Sequence, residues 1–141
     1  MTINSQEVQD IQFTLNGVPN NISISPKTIL LDYLRNSGLK SVKSGCRLGD
    51  CGMCTVLIDG IPLNSCLQKI SSIAGKCIET LESLGSADNL HPLQKAFLET
   101  GAIQCGFCTP AQILTAKAFL NINLNPTEEE TRKALAAVLC R

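Results

Sequence analysis

The sequence has no excess of charge of either sign. Its 12 Lys and Arg residues balance its 12 Asp and Glu residues, so the formal net charge is +0 at pH 7. Proteins that bind nucleic acid or an anionic membrane surface usually carry a basic patch or stripe. We therefore expect neither nucleic acid nor a membrane among the partners of this chain.

Long apolar runs and a signal-like start are also missing. The stretch from Met1 to Asp10 is polar and acidic, without the basic and apolar segments of a secretory signal. No apolar run approaches the roughly 20 residues that a membrane-spanning helix needs. We expect a cytoplasmic protein, and in a reducing compartment its 8 cysteines indicate metal or redox chemistry rather than disulfides.

The sequence also has few of the residues that enzymes combine for catalysis. His91 is the only histidine, and its place before Pro92 at the start of a predicted helix suggests a surface or capping residue. We find no Ser/His/Asp arrangement, no general acid–base pair and no phosphate-binding loop. The chain is therefore predicted to have no catalytic residues of its own.

Cysteine is what the sequence has in abundance, and its spacing is informative. The run Cys46-Arg-Leu-Gly-Asp-Cys51-Gly-Met-Cys54 leaves four and then two residues between cysteines, which is the spacing of a plant-type [2Fe-2S] loop. A [2Fe-2S] cluster needs four thiolates, and Cys66 supplies the fourth. The spacing predicts an electron carrier.

Zinc is the alternative occupant, because four thiolates also form a closed tetrahedral zinc site. Zinc sites usually pair two short Cys-x-x-Cys turns, whereas three of these cysteines share one short loop. Gly49 and Gly52 lie in the same loop and are predicted to line the cofactor site. Without a Cβ, these glycines permit positive φ. The same conformation can simply form a turn, and it also lets backbone N–H groups approach the sulfurs.

A second cysteine pair follows later in the chain. Cys105 and Cys108 precede Thr109 and Pro110, which we predict to be the N-cap and first residue of a helix, where the dipole favours an anionic cluster. Taken alone, a Cys-x-x-Cys is a weak signal and could be a redox-active dithiol. That type of dithiol follows a strand in a βαβ unit, whereas helices are predicted on both sides here.

The chain divides into a strand-rich half and a helical half. Alternating apolar residues around Asn16-Gly17 predict a hairpin over residues 10–25, and Asp59-Gly60 predicts a second one over residues 55–67. Ser25 and Pro26 are predicted to begin a helix that ends at Gly38. A short strand is expected near Ile78, and Cys77 within it is expected to be a small buried residue.

The helical half is predicted to contain three helices. One covers about residues 91–100, the next begins at Thr109, and the last begins with a capping box formed by Thr127 and Glu130. Leu135 and Leu139 are expected to supply the buried stripe of the last helix. Small and polar residues between Leu81 and Leu90 mark the boundary, so we expect domains at 1–82 and 88–141.

Taken together, Cys46 to Val56 and the run Gly101-Ala-Ile-Gln-Cys-Gly-Phe-Cys-Thr-Pro110 resemble the small iron–sulfur subunit of the molybdenum hydroxylases, the xanthine dehydrogenase and aldehyde oxidoreductase family. The resemblance implies an α+β chain: a β-grasp ferredoxin domain followed by a helical-bundle domain, each with one [2Fe-2S] cluster. It further implies a large subunit with molybdopterin and a medium subunit with FAD. Electrons would pass from the molybdopterin of the large subunit through both clusters to the FAD of the medium subunit.

Two residues acquire roles only through this resemblance. Gln104 matches the position whose side chain hydrogen-bonds the pterin, although by itself it reads as an ordinary exposed glutamine. Cys140 matches a third ligand of the second cluster, after Cys105 and Cys108.

The resemblance is imperfect at the end of the sequence. The family has a Cys-Arg-Cys element preceded by Gly-Asn, followed by a helix that completes the bundle; here Ala137 and Val138 replace the Gly-Asn pair. With three ligands, the second cluster is expected to be labile or absent. The sequence could be a fragment, a shortened subunit, or a chain whose last ligand comes from a partner or from water. An apolar stripe should be left uncovered in a bundle lacking its last helix.

Two other functions remain as alternatives. One is a free ferredoxin with a single cluster that serves unrelated enzymes. The other is a small structural or regulatory metal-binding module, with one zinc ion or one sensor cluster, that acts by protein contact.

Overall fold

The computed structural model describes residues 7–140, so most of the polar N-terminal stretch and Arg141 lie outside the described residues. The strands are β1 (Gln9–Leu15), β2 (Val18–Ile24), β3 (Thr55–Ile58), β4 (Ile61–Asn64) and β5 (Cys77–Glu79). The helices in this range are α1 (Leu30–Asn36), α2 (Pro92–Glu99), α3 (Thr109–Ile122) and α4 (Glu128–Leu135). The predicted α+β order, with strands first and helices later, is confirmed.

The five strands form one sheet in the order β2-β1-β5-β3-β4. β1 and β5 are parallel, and the other pairs are antiparallel. Both predicted hairpin turns form: Asn16 and Asp59 have φ of 51°, and the glycine after each has φ of 80°. Positive φ at both central residues defines the type I′ turn, whose twist matches that of the strands.

The first core lies between this sheet and α1. Leu30, Leu31 and Leu34 are fully buried, and they pack with apolar residues that lie between Ile11 and Ile78. In β1 only alternate residues are buried, Ile11 and Phe13, because successive side chains point to opposite faces of a strand. This helix-on-sheet packing is the predicted β-grasp arrangement.

Helix α1 begins later than the sequence suggested. The prediction of Ser25 and Pro26 as its cap and first residue is wrong: the N-cap is Ile29, without a side-chain hydrogen bond. The Leu30 N–H donates to the Gln68 carbonyl and the Ile70 N–H donates to the Thr28 carbonyl, each at 2.8 Å. This distant segment holds Ile29 in an extended conformation, so the helix starts only after it.

Helix α3 packs against the other face of the sheet, and α2 and α4 pack on α3. Leu114 and Ala118 of α3 form a second core with Leu57 of β3, and the Lys117 ammonium lies 2.5 Å from the Glu79 carboxylate of β5. The start of α3 is one residue earlier than predicted, because Cys108 occupies the N-cap. The sheet and α3 therefore share a packed, ion-paired interface.

Side-chain capping determines where α2 and α4 begin. His91 is the N-cap of α2 and accepts a hydrogen bond from Leu93, which confirms its predicted capping role. Thr127 and Glu130 form the predicted capping box of α4. The prediction of a buried Leu139 is wrong: α4 ends at Leu135 and the chain turns, so Leu139 is 56% exposed while Val138 is 4% exposed.

Apolar side chains remain uncovered beside α3 and α4, as expected. A groove of about 540 Å³ runs between β4 and these helices, with Ile61, Leu63 and Phe119 in its lining. Ile122 and Leu124, at the end of α3, are 85% and 90% exposed. Within residues 7–140, no helix has the length and apolar character to cross a membrane.

Asn16 links the first hairpin to the segment between the two halves. Its amide group donates to the Thr80 hydroxyl at 2.9 Å and accepts from the Thr80 N–H at 2.8 Å, and Thr80 is fully buried.

We expect Asn16→Ala to lower the free energy of unfolding by about 2 to 3 kcal/mol, because it strands a buried N–H and places alanine at positive φ. Urea denaturation of the purified chain measures this change. Asn20→Ala is the control, since the half-buried Asn20 forms only a solvent-exposed side-chain hydrogen bond, to the nearby Val18 carbonyl. Equal losses in both variants would contradict the role of the Asn16–Thr80 pair.

Candidate metal centres

The first group of cysteines lies on the loop between α1 and β3 and on the turn after β4. Cys46, Cys51 and Cys54 belong to the loop, and Cys66 lies in the short 3-10 turn Ser65–Leu67. Cys54 and Cys66 are buried against the first core, whereas Cys46 is exposed. The four predicted ligands therefore form one group with a buried side and an exposed side.

Backbone N–H groups in this loop point at sulfur. The Cys46 sulfur accepts from the N–H of Leu48 at 3.3 Å and of Cys51 at 3.4 Å, and the Cys46 N–H donates to the Cys51 sulfur at 3.3 Å. Across the group, the Cys66 N–H donates to the Cys54 sulfur at 3.4 Å. These donors stabilise negative charge on the sulfurs, as a thiolate-bound cluster requires.

Left-handed backbone conformations produce this arrangement. Gly49 and Gly52 have φ of 90° and 70°, as their predicted role in the loop requires, and Arg47 has φ of 59°. Because Arg47 has a Cβ, its conformation is strained. The Arg47 guanidinium is held 2.6 Å from the Asp32 carboxylate of α1, so it has a partner within the chain.

The thiols differ in how readily they ionise. Hydrogen bonds from the backbone of Leu48 and Cys51 lower the pKa of Cys46 to about 6. Burial, followed by the neighbouring Cys54 thiol, raises the pKa of Cys66 to about 11. At neutral pH Cys46 is thus a ready thiolate, while Cys66 needs the charge of a bound metal to lose its proton.

Gly45 is a residue of this site that sequence reasoning missed. A Cβ at Gly45 would lie 2.6 Å from the Cys51 sulfur, so only glycine leaves room for that sulfur. Its φ lies outside the positive range, and the only signal in the sequence was its position directly before Cys46.

Three polar side chains also support the loop and were not predicted. Asn64 donates to the Gly49 carbonyl at 2.8 Å, Thr55 to the Gly52 carbonyl at 2.7 Å and Ser65 to the Cys54 carbonyl at 2.7 Å. With its carbonyls bound by these donors, the loop is held with N–H groups facing the sulfurs. In the sequence, nothing distinguishes these three residues from ordinary polar residues at strand ends.

The grouping of the thiols fits a two-iron cluster. Within residues 7–140, no three or more His, Cys, Asp or Glu side chains are gathered as one metal ion requires. The cysteines instead lie in neighbouring pairs joined by N–H···S hydrogen bonds, Cys46 with Cys51 and Cys54 with Cys66. A [2Fe-2S] cluster divides four thiolates between two irons, so this paired donor set suits it better than it suits a zinc ion.

The second group of cysteines lies at the start of α3 and just after α4. Cys108 is the N-cap of α3, and the Cys140 and Cys105 thiols lie close enough to affect its ionisation. Burial, followed by the Cys140 thiol, raises the pKa of Cys108. The structure thus places Cys108 and Cys140 close together, with Cys105 in the same region, at a helix N-terminus that favours anions.

The remaining candidate residues lie outside these groups. Gln104 is exposed beside Cys105. Cys77, predicted to be a small buried residue, is exposed, and its N–H donates to Asp59. That prediction is wrong because the next residue of β5, Ile78, faces the core, so alternation turns Cys77 outward.

Comparison with known proteins agrees with both groups. Residues 13–76 match the family model of the 2Fe-2S iron-sulfur cluster binding domain, and residues 80–141 match that of the [2Fe-2S] binding domain. The first match contains Cys46, Cys51, Cys54 and Cys66, and the second contains the other three predicted ligands.

Relatives resemble the chain over nearly its whole length. The nicotinate dehydrogenase small FeS subunit of Eubacterium barkeri is 46% identical over 93% of this chain and 84% of that subunit. The xanthine dehydrogenase iron-sulfur-binding subunit of Escherichia coli O157:H7 is 42% identical over 99% of this chain and 89% of that subunit.

A solved structure agrees as well. Quinoline 2-oxidoreductase from Pseudomonas putida 86 contains a chain that superposes with a TM-score of 0.91 at 40% identity, covering 96% of this chain and 84% of that one. With both halves matched in order, the chain belongs to the family of [2Fe-2S] iron–sulfur subunits of the molybdenum hydroxylases, which serve electron transfer within dehydrogenase and oxidoreductase complexes.

Proposed function

We propose that this chain carries electrons from a molybdopterin-containing large subunit to an FAD-containing medium subunit. The first [2Fe-2S] centre would be held by Cys46, Cys51, Cys54 and Cys66, and the second by Cys105, Cys108 and Cys140 together with one further ligand. The observation that carries the proposal is the convergence of these thiols, with backbone N–H groups directed at the sulfurs of the first group.

A bound [2Fe-2S] cluster takes up and releases one electron at a time. The chain determines how easily this happens, through thiolates, N–H donors and burial. Cys54 and Cys66 keep one side of the first group dry, since they are 3% and 8% exposed. Cys46 and the neighbouring Leu48, which is 73% exposed, form the open side. We propose that the open side faces the flavin partner.

The second group has its own open side. Cys105 and Cys140 are exposed, as is Gln104. We propose that this side faces the large subunit, where the Gln104 amide would donate to or accept from the pterin. The division into domains 1–82 and 88–141 fits this scheme, because each domain would then present one centre to one partner.

The ligand assignment predicts a selective loss of iron. We expect Cys66→Ser to remove the first centre, because a serine hydroxyl is a poor replacement for a buried thiolate. Visible absorption, EPR of the reduced protein, and iron and sulfide analysis after anaerobic purification measure this. Cys77→Ser is the matched control and should keep the wild-type spectrum. A colourless wild-type protein containing zinc would contradict the proposal.

The pKa values predict how the empty first group reacts with alkylating agents. Since the thiolate is the reactive form, Cys46 with a pKa of about 6 should already be near its maximal rate at pH 7. Cys66, with a pKa of about 11, should stay slow until the pH approaches that value. Mass spectrometry of iodoacetamide-treated cluster-free protein from pH 5 to pH 11 gives both profiles.

Urea-unfolded protein is the control for these profiles, and there the two cysteines should react alike. Equal profiles in the folded protein would show that the hydrogen bonds to the Cys46 sulfur are absent in solution.

The proposed role of Gln104 predicts that its replacement slows only the transfer of electrons from the large subunit into the [2Fe-2S] centres. In the complex with its partners, Gln104→Ala should slow reduction of the [2Fe-2S] centres by substrate about tenfold, the worth of one hydrogen bond of about 1.4 kcal/mol. Stopped-flow absorption measures the rate, and reduction by dithionite is the internal control. Lys95→Ala, an exposed change on α2, should leave both rates unchanged. An unchanged substrate-driven rate in Gln104→Ala would reject this role.

A further inference from the structure

The first cysteine loop is in direct backbone contact with the residues that precede Cys140. The Leu139 N–H donates to the Cys51 carbonyl at 3.0 Å. A Cβ placed on Gly52 would lie 2.2 Å from the Ala137 carbonyl oxygen and 3.0 Å from the Val138 Cα. Real Cβ atoms do not approach backbone so closely, so this contact exists only because residue 52 is glycine.

The segment Ala137–Leu139 is also held from its other side. The Gln112 amide of α3 donates to the Val138 carbonyl at 3.0 Å, and the Val138 side chain is buried. The segment has no regular secondary structure, since α4 ends at Leu135. Its position, and that of Cys140 directly after it, is therefore set by the loop on one side and by α3 on the other.

We infer that Gly52 is a positioning residue for Cys140, and that it fixes the spacing between the two cysteine groups. This inference rests on the proposed function, in which Cys51 and Cys140 hold different clusters. One hydrogen bond, from Leu139 to Cys51, joins the residue before Cys140 to a ligand of the first group. Because electron transfer between centres depends on a fixed separation, this short link defines their geometry.

The contact also makes the two groups interdependent. Order in the loop that contains Gly52 stabilises Ala137–Leu139, and by thermodynamic reciprocity order in that segment stabilises the loop. Cys140 is thereby held in place by the N-terminal half of the chain, although its partners Cys105 and Cys108 belong to the helical half.

A competing explanation is that residue 52 is glycine only because φ is +70°. Gly60 separates the two explanations, because its φ is +80° and a Cβ there meets nothing within 4 Å. Gly60→Ala imposes the backbone strain without the collision, whereas Gly52→Ala imposes both.

The first experiment is hydrogen exchange of the Leu139 amide in the purified full chain. We expect Gly52→Ala to speed its exchange at least about tenfold relative to wild type, because the protecting bond to Cys51 is broken. Gly60→Ala should leave the rate at the wild-type value. Equal exchange rates in the two variants, fast or slow, would overturn the inference.

Alkylation of the cluster-free protein separates positioning from general destabilisation. Loss of positioning should raise the rate at Cys140 relative to Cys77, which is also exposed but lies away from the segment, whereas general unfolding would raise the rate at the buried Cys66 as well. A uniform rise in Gly52→Ala would contradict the inference.

A second variant keeps the inference testable if Gly52→Ala does not fold. Gln112→Met removes the other hydrogen bond to the segment and lies outside the loop. It should speed exchange of Leu139 and alkylation of Cys140 while preserving the visible spectrum of the first centre, and unchanged rates would count against the inference. A wild-type protein without a [2Fe-2S] spectrum would refute the proposed function instead, since the exchange comparison does not depend on that spectrum.

Discussion

The structure depends on one local constraint, which is that the cysteine loop between α1 and β3 directs its N–H groups towards sulfur. A loop can do this only in left-handed backbone conformations, and Arg47, Gly49 and Gly52 adopt them. Such a loop has few internal hydrogen bonds and would not persist alone. Asn64, Thr55 and Ser65 bind its carbonyls, and all three follow from the position of the β3–β4 hairpin. The sheet therefore acts as the support of the loop.

The helical half is built onto the same support. Helix α3 packs Leu114 and Ala118 on Leu57 of β3, and Lys117 pairs with Glu79 of β5. A partly exposed ion pair of this kind contributes up to about 1 kcal/mol. Apolar burial and the backbone contact at Gly52 therefore contribute more to holding the helical half on the sheet. Because Cys108 is the N-cap of α3, fixing α3 on the sheet also fixes the second cysteine group relative to the first.

The sequence predicted those features whose cause is local. Asn16-Gly17 and Asp59-Gly60 define their own turns, Thr127 and Glu130 define their own cap, and the spacing of Cys46, Cys51 and Cys54 identifies the loop. A family resemblance then added Cys140 and Gln104, which no local pattern would have identified; their roles stay predictions.

Other features were missed or wrongly predicted because a distant segment decides the outcome. Ser25 and Pro26 carry a good helix-start signal, yet pairing of Thr28 and Leu30 with Gln68 and Ile70 overrides it. Gly45 is needed because of a sulfur six residues away, which no rule of turns contains. The same reason explains Gly52: the turn accounts for its φ, but the collision that a side chain would cause involves Ala137, 85 residues later. In this chain the residues that join the two cysteine groups are therefore less visible in the sequence than the cysteines themselves.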